Sequence, residues 1–153
     1  MNKGKVAEAL KRALDAFIES DKHLLAADAS ERSMSHQIAV HLAREIPGYD
    51  VDCEYNRDGF NVKRLQLGHR QVSDNDEEAV TVFPDIIVHR RGNNDHDLLV
   101  IEMKKAAVTG GFDYDYGKLR AFRAQLRYHW AAHLVIGNDH RGEFQCNVEW
   151  IDG

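Results

Sequence analysis

Two cysteines, two prolines and a shortage of positive charge set the first limits on this 153-residue chain. Cys53 and Cys146 lack CxxC spacing and are too few for a disulfide framework, so buried, reduced thiols in a cytoplasmic protein are expected. No apolar run approaches the roughly 20 residues that a membrane-spanning helix needs. The opening Met1-Asn2-Lys3-Gly4-Lys5 leads into a pattern broken by Glu8, Lys11 and Arg12, unlike the uninterrupted apolar segment of a secretory signal. Twenty Lys and Arg against 25 Asp and Glu leave a net charge of −5, which argues against coating nucleic acid through bulk charge. An enzyme with a local basic face and a metal-neutralised acidic site remains compatible with that balance. There is no internal repeat, low-complexity tract or Pro/Ser-rich linker, so a single domain over 1–153 is expected.

What is present is an ordinary globular composition, 43% hydrophobic and 29% charged. Val6, Leu10, Leu14, Phe17 and Ile18 recur at helical spacing and predict a helix over residues 3–20, as core or as an assembly element. A second helix is predicted from Asp28 to Ile46 on the stripe Met34, Ile38, Leu42 and Ile46, with Pro47-Gly48 as its stop. Asp28 and Glu31 have the spacing of a capping box. The period then changes. Residues 51–55 alternate like a half-buried strand, Asp58-Gly59 reads as a turn, and 60–67 as the returning strand. The acidic run 73–78 reads as a loop. Residues 81–88 and 98–103 are aliphatic strands around a turn at 92–96. Past Gly110-Gly111, a helix beginning near Asp113 or Asp115 carries Leu119, Phe122, Leu126 and Trp130 on one side. Strands at 134–136 and 146–151 close the chain. The predicted class is α/β, a central mixed sheet flanked by helices in the order α-α-β-β-β-β-α-β-β.

The second hairpin carries the chemistry. If its turn centres between Asn93 and Asn94, position 85 falls opposite 102, and opposed residues share a face with Cβ atoms about 5 Å apart. Glu102 and Lys104 are two residues apart and share that face as well. Two carboxylates and an ammonium then meet at the end of two apolar strands. Such carboxylates can hold Mg²⁺, which keeps open positions for phosphate oxygens and acidifies a bound water. A neighbouring lysine can orient that water or offset charge growing on phosphate. Pro84, with no N–H to donate, suits an edge or bulge at the strand entry. The plain alternative is that Asp85, Glu102 and Lys104 form the solvated face of a hairpin.

Pro84-Asp85 followed by Glu102-Met103-Lys104 resembles the PD-(D/E)xK motif of the restriction-endonuclease-like nuclease superfamily. The preceding helix with Glu31, the hairpin, and the following helix opened by Asp115-Tyr116-Gly117-Lys118-Leu119 fall in that family's order. Stretches 51–57 and 84–92 look like an uncharacterised bacterial branch of it. The likeness spans roughly residues 28–137, leaving 1–27 as an N-terminal helical extension and 138–153 as a C-terminal strand. It implies a restriction-endonuclease-like core and a Mg²⁺- or Mn²⁺-dependent nuclease. Asp85 and Glu102 would be metal ligands, the Met103 carbonyl a third, and Lys104 the catalytic lysine. Glu31 matches an acidic residue that reaches the metal through water in some members, against its capping-box reading. Lys118 matches the family's D-x-x-K-L turn, in an accessory or a structural role. The implied substrate is nucleic acid, DNA first and RNA as the alternative. A binding module that keeps the fold without turnover is the rival class. A homodimer would cut both strands, and in so short a chain site recognition would fall to loops such as 68–79 and 105–114 or to a partner protein.

Other patterns carry less. Arg120, Arg123 and Arg127 share one helix side, as a phosphate-contacting ridge or an ordinary solvated face. His129 and His133 are four apart, but no Glu follows the first and a strand is expected to begin between them, so structural roles are expected. Asp74, Asp76 and Glu78 lack the glycine of a calcium loop, and 111–118 fails the spacing of a phosphate loop.

Overall fold

The computed structural model describes residues 1–55, 57–58, 61–62, 64–66, 79–81, 83–92, 95–107 and 110–152, with backbone alone between 57 and 81. The elements are α1 (Lys3–Ser20), α2 (Lys22–Ala26), α3 (Glu31–Glu45), β1 (Asp50–Cys53), β2 (Arg57–Asp58), β3 (Asn61–Val62), β4 (Arg64–Gln66), β5 (Ala79–Thr81), β6 (Ile86–His89), β7 (Leu99–Lys105), α4 (Phe112–Leu126), β8 (Trp130–Asn138) and β9 (Phe144–Trp150). The class is α/β, as expected. A five-stranded sheet in the order β1-β6-β7-β8-β9 is antiparallel except where β8 lies parallel to β7, across the α4 crossover.

Alternation along the strands builds two separate cores. Ile86, Val88, Leu99, Ile101, Met103, Ala132, Leu134 and Ile136 point to one face, where they bury against α1 and α3. Ile87, Val100 and Ala131 point to the other and bury against Leu119, Phe122 and Leu126 of α4. The N-terminal helix therefore belongs to the packing of the sheet, with Val6, Leu10, Leu14 and Phe17 in the first core. No helix among the described residues is long and apolar enough to cross a membrane.

Several local expectations are corrected. α3 begins at Glu31 and is capped by Ser30, whose Oγ accepts from the Ser33 N–H at 3.2 Å. Asp28 lies outside the helix with a positive φ of 51°, so Asp28 and Glu31 form no capping box. Residues 50–53 do not pair with the segment that follows them. β1 takes the open edge of β6 instead, while 57–58 pair with 61–62 and 64–66 with 79–81 in two small ladders. Seven strands thus precede α4 among the described residues where about four were expected. α4 stops at Leu126 because Arg127 adopts φ 61°, so Trp130 starts β8 and does not extend the helix stripe. The acidic run 73–78 lies outside the described residues.

Candidate metal centre

The β6–β7 register is the one read from the turn: Ile86 faces Ile101, Ile87 faces Val100 and Val88 faces Leu99. Asp85 directly precedes β6, and the same register carries it opposite Glu102. Its carboxylate locks there by accepting the Met103 N–H on Oδ2 at 2.8 Å. Period-two alternation places Glu102 and Lys104 on the α4 face, together with His133, the register partner of Glu102 on β8. The cluster sits at the C-terminal end of β7, where the chain leaves the sheet for α4, a usual place for sites in open α/β sheets.

Burial rules out the solvated-hairpin reading. Glu102 is only 4% exposed, whereas charges on a solvated hairpin face remain in water. Burial, and then the charge of Asp85, push the Glu102 carboxyl well above the usual carboxylate range. Burial also raises Asp85, although hydrogen bonds from Met103 and with Glu102 pull it the other way. Two like charges in one dry place cannot both ionise without a nearby cation.

α4 supplies that cation. Lys118, its side chain 12% exposed, brings Nζ to 3.0 Å from Glu102 Oε1. Burial works against its ammonium, but the adjacent Glu102 outweighs this and raises the lysine further. The approach is off the line of a hydrogen bond, leaving Oε1 a buried acceptor with no well-formed bond among the described residues. Lys104, on the same face, reaches towards α4, with Nζ 3.7 Å from Asp115 Oδ2. Gly111 makes room for it: a Cβ there would lie 3.4 Å from the Lys104 ammonium, and its φ of 82° is one that glycine adopts freely.

Two members of this cluster escaped sequence reasoning. Asp115 is 5% exposed, and His133, fully buried, places Nε2 at 3.1 Å from Asp115 Oδ2. The Phe112 and Tyr116 rings close over the imidazole at 5.4 and 5.0 Å. In the sequence Asp115 stands only as part of a helix-opening motif. The available signal was that an aspartate falling four residues before Leu119 lies on the buried stripe. His129, by contrast, is exposed ahead of β8, so the two histidines do not converge.

Glu31 lies at the start of α3, where Oε1 accepts the Lys105 N–H at 3.4 Å. It shares a cleft of about 150 Å³ with Ser35, Cys53, Glu54 and Asp85, so it reaches the Asp85 side of the cluster. The three arginines do not form one ridge. Arg120 is exposed, but Arg123 turns to the chain end, donating from Nη1 to the Ile151 carbonyl at 3.0 Å, and Arg127 leaves the helix. Burial raises the thiols of Cys53 and Cys146 to about 11 and about 12, consistent with inert, half-buried cysteines.

No group of three or more His, Cys, Asp or Glu side chains suited to a metal occurs among the described residues. Two carboxylates and a main-chain carbonyl are a smaller set, and their hard oxygens suit Mg²⁺ or Mn²⁺. The unbonded Glu102 Oε1 and the raised carboxyl pair fit such an ion, because a divalent charge relieves both. The chain matches no family model, no curated protein and no solved structure.

Proposed function

We propose that this chain is a metal-dependent nuclease with a restriction-endonuclease-like core, hydrolysing phosphodiester bonds in DNA. The observation that carries the reading is a buried Glu102 placed opposite Asp85, with Lys104 on the same face. Asp85, Glu102 and the Met103 carbonyl would hold Mg²⁺ or Mn²⁺. When bound, the ion supplies Lewis acidity towards the phosphate and a water acidified to near neutrality. Met103 N–H fixes the Asp85 carboxylate, and the β-ladder fixes Glu102 against it, so both acids are preorganised. Lys104 offers an ammonium that orients the attacking water and offsets charge on the phosphate. Asp115, itself bonded to His133, faces that ammonium and limits where it can point. Lys118 stays near Glu102 as a second positive charge.

One observation favours a second reading. Lys118 already neutralises Glu102, as it would in a module of this fold that binds nucleic acid without cutting it. The two readings separate on incubating the protein with supercoiled plasmid, linear DNA and RNA in Mg²⁺, Mn²⁺ or EDTA. Metal-dependent cleavage of DNA, lost in Asp85→Ala and Lys104→Ala, is the expected result. Cleavage of RNA alone would reassign the substrate. Binding without cleavage, equal in wild type and both variants, would leave the silent module.

A further inference from the structure

Away from the carboxylate cluster, on the α1 face, the sheet ends at β9 with an open groove of about 640 Å³ between that strand and α1. Phe144, Cys146, Val148 and Trp150 line one wall, and Leu10, Leu14 and Ile18 the other. Lys11 and Asp15 stand on its rim.

The outer edge of β9 has a definite hydrogen-bonding pattern. Ile151 N–H donates to the Ala131 carbonyl, and Asp139 N–H to the Glu143 carbonyl, so odd-numbered residues turn their backbone towards β8. In an antiparallel ladder the even-numbered residues then turn N–H and C=O outward. These are the same four residues whose side chains line the groove. Among the described residues, the devices that normally blunt an edge are missing. β9 has no proline, its register with β8 runs without a bulge from Phe144 to Trp150, and its groove-side residues carry no charge.

We propose that β9 pairs with β9 of a second copy, antiparallel about a two-fold axis at Asn147, giving a dimer with one continuous sheet. This centre uses all seven residues of the strand. It sets Phe144 against the partner's Trp150 and Cys146 against the partner's Val148, with on the order of eight ladder hydrogen bonds. Glu149 then faces the partner's Gln145, so no like charges oppose each other. Charges on the rim fit the same axis. Lys3 Nζ lies 5.6 Å from the Trp150 ring, and Asp15 acts on the Cys146 thiol, so α1 runs antiparallel to β9. Lys11, one helical turn before Asp15, is level with Val148, since one turn of helix and two strand residues both advance about 6 Å. Lys11 and Asp15 already pair within α1 at 2.8 Å, and the two-fold sets each pair beside the partner's, with Asp15 next to the partner's Lys11 at two symmetric places. The inference does not depend on the chemistry of Asp85 and Glu102.

Sedimentation equilibrium on the full chain tests the proposal, together with oxidation of a cysteine introduced beside the native Cys53 and Cys146. Asn147 is exposed and would face the partner's Asn147 as a non-hydrogen-bonded pair with Cα atoms about 4.5 Å apart, within disulfide reach. Oxidised Asn147→Cys should run as a covalent dimer, and Gln145→Cys, which faces position 149, should not. Val148→Pro removes an outward N–H without touching the β8 ladder and should weaken dimerisation at least about a hundredfold. If that variant loses its circular-dichroism signal, the charge pair carries the test. Lys11→Glu should weaken the dimer by about tenfold, and Lys11→Glu with Asp15→Lys should restore it. A wild type that stays monomeric, with an Asn147→Cys variant that does not cross-link, overturns the proposal and leaves the groove to some other strand. A dimer indifferent to both Val148→Pro and the charge reversal also overturns it, and faster cross-linking at 145 overturns the register.

Discussion

The two ends of β6 each carry a polar cluster, and the two are built on opposite principles. At its C-terminal end, His89 Nε2 lies 2.7 Å from Asp52, the β1 partner of Ile87, and a two-pronged Arg91 joins that carboxylate with Nε at 2.9 Å. Burial alone would raise the Asp52 carboxyl, but Arg91 and His89 outweigh it and hold the group below its usual value. At the N-terminal end, Asp85 and Glu102 are raised, and two acids rely on one close ammonium. A balanced cluster ties β1 to the sheet and is chemically quiet. An unbalanced one stores unfavourable charge that a bound cation or a developing positive charge can relieve, which is the usual electrostatic mark of a functional site.

The sharpest way to break this contrast is substitution at each end. Glu102→Ala should lower DNA cleavage by at least about a thousandfold, about 4 kcal/mol of transition-state stabilisation, while the fold persists. Asp52→Ala should leave kcat unchanged and lower unfolding stability by about 1–3 kcal/mol, because buried His89 loses its bonded carboxylate. Steady-state kinetics and urea titration measure both. Loss of kcat in Asp52→Ala would mean that the two clusters are not separable.

The next effect is on pH. The folded pKa of Asp52 lies below its unfolded value, so its contribution is present above the carboxylate range and lost as pH falls through the folded pKa. Asp85 and Glu102 lie above theirs, so the unfolded chain releases those protons first and stability falls as pH rises through the raised values. In EDTA, Asp85→Asn with Glu102→Gln should therefore show a stability difference from wild type that is absent in acid and grows with pH. Mg²⁺ at a hundred times its Kd should add about 2.7 kcal/mol to the wild type alone. Parallel curves for the two proteins would remove the charge imbalance from the account. The smallest effect is expected at Tyr116→Phe, which removes the exposed 2.7 Å bond from the tyrosine hydroxyl to Glu149. Less than about 1 kcal/mol of stability should be lost there, with kcat intact.

The acidic end of this contrast was legible in the residues, and the Asp52–His89–Arg91 end was not. A strand hairpin obeys a parity rule, so fixing one turn between Asn93 and Asn94 fixed every β6–β7 partner and set Asp85 opposite Glu102. Helical stripes were legible for the same reason. Sequence reasoning failed where contacts are distant or where two local signals compete. Nothing local tells residues 50–53 to skip the adjacent segment and pair with 86–89, because that choice depends on burying both strands in one sheet. Asp28 and Ser30 both suit a helix cap, and packing selected Ser30. The apolar period of α4 continues to Trp130, but Arg127 turns left-handed three residues earlier and the chain becomes strand. Asp115 and His133 come together only through the crossover from β7 to β8, which local periodicity does not encode.

The Lys118–Glu102 pair has a consequence for how the molecule comes into being. In small zinc domains the metal supplies the folding energy, and the apo chain has no structure to offer it. Here the polypeptide brings its own counter-ion, 3.0 Å from the most deeply buried acid of the cluster. Newly made chains can therefore assemble without waiting for a scarce ion, and under the proposed function a divalent cation arriving later would meet a finished scaffold in which it must displace a tethered ammonium. Loading would then be a late and reversible exchange between two cations, separate from the birth of the fold.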